Sequence, residues 1–333
     1  MSGKKAVVFH QGALGDFLLA AAAVDQLVTT GGFTRVDFWS KPEHVSLLAE
    51  KSYLGRCLPC DSPLVAALLQ ETLWRRARLP DFLVEAESVF IFGQSGSRVM
   101  AERLKELLSA DVNWIQSFPP VEEARGEEHV SDFLRRQFAA LSLPIVGSPL
   151  SLSPPEVEKR GAEELLRRLG IDSKPIILHP GSGGRRKVWP LANWWGLIGR
   201  IRRESSSPVL LSVGPADEYL LEFSTRVRES GLPVVSGLSV LSLSALLSLC
   251  ALYIGSDSGV SHLAAAMGIP TFALFGPTDS RVWAPRGRRA IALQRQWNEE
   301  EVLEWPPSQR SGGEVDRIMA VIREQLPLAA HGV

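Results

Sequence analysis

Cysteine is scarce, with three in 333 residues, and that excludes a disulfide-stapled scaffold. Two of them form Cys57-Leu58-Pro59-Cys60, but a zinc site needs two further ligands at suitable spacing and only Cys250 remains. Arg56–Cys60 therefore reads as a short strand with both thiols as small packing groups. Neither charge prevails: 36 Lys and Arg stand against 37 Asp and Glu, for a net charge of -1. Without a basic bias, nucleic acid is not an expected partner. The apolar run Ala6–Phe9 is too short for a signal peptide, so the chain is expected to be cytoplasmic. One stretch, Ser230 to Ser256, lacks charge altogether and is long enough to span a bilayer. Gly231, Pro233 and Gly237 break it, and it reads instead as strand, loop, buried helix, strand.

What the chain does have is alternation, on a plain globular composition of 45% apolar and 22% charged residues. Apolar strand candidates at Lys5–His10, Arg35–Trp39, Arg56–Cys60, Ser88–Phe92 and Val112–Ile115 are separated by helical patterns such as Asp16–Thr29, Arg98–Leu108 and Glu127–Ala140. Leu143–Pro155, with Pro144, Pro149, Pro154 and Pro155, breaks the rhythm and marks a linker. Strands then resume at Ile176–Leu178, Val209–Val213, Pro233–Val235, Leu252–Ile254 and Thr271–Phe275. Repeated β-α-β units mean parallel sheets covered on both faces. The expected fold class is α/β, with two Rossmann-like doubly wound domains, 1–150 and 151–312, and a C-terminal helical segment 313–333.

Ligands of such sheets bind at the carboxyl ends of the strands, where three unusual stretches fall. The first is Tyr253 to Gly268, Y-I-G-S-D-S-G-V-S-H-L-A-A-A-M-G: a buried strand, a turn allowed by Gly255, cap residues, and an Ala-rich helix. A helix start of this kind offers free N–H groups and a positive dipole end to an anion, phosphate above all. The second, H-P-G-S-G-G-R-R-K-V-W-P at 179–190, is a glycine-rich basic loop after a strand. It is not a P-loop, because Val188 follows Lys187 where Ser or Thr is required. The third is His10-Gln11-Gly12-Ala13-Leu14-Gly15-Asp16. It nearly matches a dinucleotide fingerprint, with Asp37 placed as the ribose acid at the end of the next strand. His10 replaces the first glycine, and Asp16 would repel a pyrophosphate. A dinucleotide-dependent oxidoreductase stays open as an alternative.

V-V-F-H-Q-G-A-L-G-D, I-L-H-P-G-S-G-G-R-R-K-V-W-P, I-G-S-D-S-G-V-S-H-L-A-A-A-M-G-I-P and F-G-P-T-D, in this order and spacing, resemble glycosyltransferase family 9, the ADP-heptose:lipopolysaccharide heptosyltransferases and their relatives. E-E-H-V-S-D-F-L at 127–134 fits the same family. The resemblance implies a GT-B fold, two Rossmann-like domains facing across a cleft, with the donor on the second, the acceptor on the first, and a last helix able to cross back. It also implies inverting, metal-independent transfer of a sugar from a nucleotide-sugar donor, ADP-heptose by family, to a saccharide or lipid-linked saccharide acceptor. Such an acceptor would bring the protein into peripheral contact with the inner membrane. No cofactor is implied.

The residues suit that chemistry. No Asp-x-Asp pair occurs anywhere, so the usual carboxylate clamp for a metal–diphosphate is missing and protein groups must neutralise the leaving diphosphate. Ser182, Gly183 and Lys187, with the amides of Ser258, Gly259 and Val260, are the candidates. By resemblance Asp16 is the base that takes the acceptor's proton; read locally, it is the N-cap of its helix. Asp257 is either a ligand of sugar hydroxyls or another cap. His262, on the face of Ser258, either reaches the phosphate or packs in the core. His10 and His179 are expected to brace loops. Arg75, Arg76 and Arg78 form either a solvated cluster or a contact for an anionic acceptor. A catalytically inactive sugar-nucleotide-binding module is the third reading, and the presence of both Asp16 and Lys187 argues against it.

Overall fold

In a computed structural model of the protein, residues 3–120, 128–298, 301–304 and 313–325 are described. Glu127 of the expected helix and residues 326–333 of the expected C-terminal segment lie outside them. The chain divides into two compact units, Met1–Leu152 and Ser153–Val333.

The first unit is built on five strands, β1 Lys4–His10, β2 Phe33–Ser40, β3 Leu54–Pro59, β4 Ser88–Gly93 and β5 Asp111–Gln116. They pair in parallel in the order β3-β2-β1-β4-β5. The order reverses between β1 and β4, which places the loops after these two strands on either side of the switch point. Phe9, Trp39, Val89 and Ile91 pack with Met100 and Leu104 of helix Ser95–Leu107 in one core. Cys60 joins that core, whereas Cys57 is exposed, so only one of the two thiols is a packing group. The helix expected at Glu127–Ala140 is described as Val130–Ala140.

The second unit carries β6 Ile176–His179, β7 Val209–Val213, β8 Val234–Ser236, β9 Leu252–Ser256, β10 Thr271–Phe275 and β11 Ala290–Gln294, parallel in the order β11-β10-β9-β6-β7-β8. Every residue of β6, β9 and β10 is buried, as continuous apolar runs covered on both faces demand. The uncharged stretch resolves into β8, helix Val240–Ser248 and β9. Among the described residues no helix is long and apolar enough to cross a membrane. Gly255 lies within β9 rather than in a turn; a Cβ there would come within 2.1 Å of the Tyr253 hydroxyl. Its role is to make room for that ring.

Helix Gly313–Gln325 was expected to be able to reach the first domain. Its described apolar face belongs to the second unit: Val315, Ile318, Met319 and Ile322 enter that core beside Trp194, Leu197 and Ile201 of helix Leu191–Glu204. Arg323 Nε to Glu204 at 3.0 Å and Arg200 to Asp316 at 3.1 Å fix the pair at the surface.

Candidate functional site

Loops leaving the carboxyl ends of β7, β9, β10 and β11 gather around the loop after β6 in the second unit, and Asp257 joins those after β6, β9 and β10. It follows β9 directly, is 5% exposed, and is not a cap: the N-cap of helix Gly259–Ala266 is Ser258. The Asp257 carboxylate accepts from Lys187 Nζ at 2.9 Å and from the Thr278 hydroxyl at 2.5 Å. A salt bridge with one partner this deeply buried holds Lys187 in place, because breaking it strands a buried charge. Trp297 donates its indole N–H to the Arg186 carbonyl at 3.1 Å, which ties the chain after β11 to the basic loop.

The loop after β6 is braced from beneath. Ser182 Oγ donates to the Asp257 carbonyl at 2.6 Å, and its N–H donates to the Tyr219 hydroxyl at 3.0 Å. Both Ser182 donors are therefore spent inside the protein, so the expected diphosphate ligand is a brace. Ser256 Oγ donates to the Pro180 carbonyl at 2.7 Å. Tyr219 Oη lies 2.8 Å from the Ser182 carbonyl and 3.2 Å from Asp217 Oδ1, and Arg185 sits over its ring at 5.5 Å. Burial, with the neighbouring Asp217 carboxylate, pushes the Tyr219 hydroxyl up to about 12, so it stays protonated. Asp217, 3% exposed, also accepts from the Gly214 N–H at 2.7 Å. A Cβ on Gly181 would come within 1.9 Å of Asp217 Oδ2, so the glycine is required for the loop to lie against this carboxylate. His179 braces, as expected. Its Nδ1 is 3.1 Å from the Ser212 carbonyl and its Nε2 3.8 Å from Asp217, and burial lowers its pKa against the pull of that carboxylate.

Lys187 is one-third exposed, Gly183 is exposed, and Ser258, Gly259 and Val260 are half-buried at the start of the helix. His262 is 8% exposed one turn further in. A fixed cation, a basic loop and a helix N-terminus thus share one mouth, an arrangement suited to a diphosphate. Asp217, Tyr219, Thr278 and Trp297 are the participants that sequence reasoning missed. Thr278 alone carried a signal, in F-G-P-T-D.

Asp16 belongs to the first unit. The N-cap of helix Leu14–Gly31 is Ala13, without a side-chain cap bond, so the cap reading of Asp16 fails. Asp16 stands third in the helix and lines a cavity of about 380 Å³ with Phe9, His10, Gly12, Phe92 and Gln94 among others. Gly12 lets His10 and Asp16 close in from two sides: a Cβ there would lie 2.9 Å from His10 Cε1 and 3.2 Å from Asp16 Cβ. Burial, then the charges of His44 and Lys41, lower the His10 pKa to about 3, so His10 is a neutral ring. Asp37 is not at a strand end. It lies within β2 and is held by the Arg56 N–H at 2.6 Å, Arg56 Nε at 3.0 Å and Arg35 Nε at 3.1 Å. The ribose acid of the oxidoreductase reading is therefore already occupied.

The sequence profile of glycosyltransferase family 9 (heptosyltransferase) matches residues 109–306, more than half of the chain. The chain belongs to glycosyltransferase family 9. That membership carries the transferase class and disfavours the oxidoreductase. Lipopolysaccharide heptosyltransferase 3 of Escherichia coli is 30% identical over 142 residues, 41% of each chain. The match thus spans about two fifths of that relative's length. A glycosyl transferase family 9 structure from Veillonella parvula covers 97% of both chains with a TM-score of 0.72 at 17% identity. The E. coli ADP-heptose lipopolysaccharide heptosyltransferase II structure covers 96% of this chain and 99% of its own, with a TM-score of 0.67 at 18% identity. At such identities the likeness is one of fold, and the fold is of the GT-B class: two parallel-sheet α/β domains.

Proposed function

We propose that the protein is an inverting, metal-independent glycosyltransferase that moves heptose from ADP-heptose to a saccharide of lipopolysaccharide-core type. The observation that carries the donor site is the convergence of Lys187, Asp257 and Thr278 on the start of helix Gly259–Ala266. The ADP-heptose named for the E. coli structure supports the choice of nucleotide and sugar.

In this reading Lys187 and the N–H groups of Gly183, Ser258, Gly259 and Val260 bind the diphosphate and neutralise the charge that grows as it leaves. Lys187 stays on Asp257 Oδ2 and meets the diphosphate with its remaining N–H donors, while Asp257 Oδ1 accepts from sugar hydroxyls. His262 lines the sugar side of the helix. Asp16 takes the proton from the acceptor hydroxyl while its oxygen attacks the anomeric carbon. The bond from that carbon to the diphosphate oxygen breaks with its electron pair on ADP, and the configuration inverts. Lys187 supplies the fixed positive charge that a metal gives elsewhere. The transfer takes place in the cytoplasm, with peripheral membrane contact made through a lipid-linked acceptor.

Thermal unfolding with ADP-heptose, ADP and NAD tests the donor. A ligand at one hundred times its Kd adds about 2.7 kcal/mol to stability. ADP-heptose and ADP are expected to raise Tm and NAD to leave it unchanged. Stabilisation by NAD with no response to a sugar nucleotide overturns the proposal.

A further inference from the structure

Both partners of the Asp257 carboxylate are set from the end of one edge strand. β11 lies outside β10 in the second sheet, and beyond it the Arg295 N–H donates to the Phe275 carbonyl at 2.7 Å. Gln294, the last residue of β11, directs its whole amide at the segment that follows β10. Its Nε2 donates to the Gly276 carbonyl at 2.8 Å and the Thr278 carbonyl at 3.1 Å, and its Oε1 accepts from the Ser280 N–H at 2.8 Å. Both N–H donors and the carbonyl oxygen of the amide are thereby engaged. They fix the backbone from which the Thr278 hydroxyl reaches Asp257 Oδ2 at 2.5 Å.

Three residues on, Trp297 acts on the other partner. Its indole N–H donates to the Arg186 carbonyl at 3.1 Å. Arg186 stands inside the tight turn Arg185–Lys187, which is closed by the Lys187 N–H on the Gly184 carbonyl at 2.9 Å and the Val188 N–H on the Arg185 carbonyl at 3.1 Å. A bond to the residue before Lys187 therefore orients the stem whose ammonium lies 2.9 Å from Asp257 Oδ2. The indole ring itself rests on Gly276: a Cβ there would fall 2.1 Å from Trp297 Cζ2, so the glycine is what admits the ring. Trp297 thus touches both loops. A lysine side chain loses much rotamer freedom when held in one pose, and an anchored turn beneath it limits the poses it can leave to.

We propose that Gln294 and Trp297 are positioning residues of the donor site: they hold Thr278 and Lys187 on one oxygen of Asp257, so that the ammonium is in place before a diphosphate arrives. The proposal rests on the donor-site reading and deepens it by assigning the residues that pre-organise its cation. A preformed site spares the ligand the free energy of ordering it. Neither side chain is charged, so their loss acts on the ligand through Lys187 and Thr278.

The test is calorimetric titration of the full chain with ADP, with Tm as the control for folding. Trp297→Phe keeps a ring on Gly276 and loses the N–H. Gln294→Met keeps the length and loses the amide. Each should raise the Kd for ADP about three- to tenfold, the worth of a net hydrogen bond. In a Lys187→Ala chain Trp297→Phe should add no further loss, and in a Thr278→Val chain Gln294→Met should add none, because residues that act through one another are not additive. Loops that merely pack would give additive losses. A second readout needs no ligand. Acetylation of Lys187 Nζ by acetic anhydride, followed by mass spectrometry against the exposed Lys174, should quicken about three- to tenfold in Trp297→Phe. Unchanged ADP affinity in the folded variants, additive losses, or unchanged labelling of Lys187 overturns the inference. Labelling that quickens in a chain that binds neither ADP nor ADP-heptose upholds the positioning of Lys187 and overturns the donor reading instead.

Discussion

Tyr219→Phe removes one oxygen from beneath the donor loop and leaves the ring, with Arg185 above it, in place. That oxygen accepts from the Ser182 N–H at 3.0 Å and gives its proton to the Ser182 carbonyl at 2.8 Å or Asp217 at 3.2 Å. Its loss strands the amide of a serine that is 4% exposed and removes a partner from a carboxylate that is 3% exposed. An unsatisfied buried group costs about 1–3 kcal/mol. Asp217 keeps the Gly214 N–H at 2.7 Å, so the amide dominates and the loop loses about 1.5–3 kcal/mol. A donor that needs the loop ordered must supply that free energy on binding, and each 1.4 kcal/mol is tenfold in Kd. Calorimetric titration with ADP-heptose should therefore show Kd raised by about ten- to a hundredfold, with Tm lowered by a few degrees. Turnover at saturating donor should fall much less, because Tyr219 acts through the loop and not on the reacting atoms. Unchanged donor affinity in a folded Tyr219→Phe chain refutes the bracing role.

Acid should weaken the fold through His10. Its folded pKa, about 3, lies below the unfolded 6.5, so between these values the unfolded chain binds more protons and stability falls as pH falls, by about 1.4 kcal/mol per pH unit for this one group. His179 is shifted the same way. His10→Gln should flatten the decline of stability between pH 6.5 and 4 by about one proton, measured by urea unfolding at a series of pH values; an unaltered slope contradicts the neutral buried ring. EDTA should leave transfer undiminished, and activity that vanishes with chelator and returns with Mg²⁺ would show that Lys187 is not the neutralising charge.

Much of the fold was legible because buried parallel strands announce themselves as apolar runs: β6, β9 and β10 were placed to within two residues. β11 was missed because it is an edge strand with only Leu293 buried, too weak a pattern to stand out between Arg289 and Arg295. Local rules also misassigned residues whose partners are distant in sequence. Asp257 followed by Ser258 looks like a cap, but Lys187 and Thr278 claim its carboxylate. Ser182 in a glycine-rich loop looks like a phosphate ligand, yet Tyr219 and the Asp257 carbonyl take both its donors. Asp37 looks like a ribose acid until Arg56 of β3 is seen to hold it. Tyr219 and Asp217 carried no motif; their importance arises only where the loop after β7 passes under the loop after β6.

Asp16→Asn tests the central claim most directly. The substitution keeps the size of the side chain, and Ala13 rather than Asp16 is the N-cap, so no cap is lost. Asparagine cannot accept the acceptor's proton. Turnover of ADP-heptose with a saccharide acceptor should fall by about 10²–10⁴-fold, while donor affinity stays unchanged because Asp16 lies in the first unit. Lys187→Ala, measured alongside, should weaken donor binding and slow transfer together. Near-normal turnover in folded Asp16→Asn would contradict the account and remove Asp16 from the mechanism.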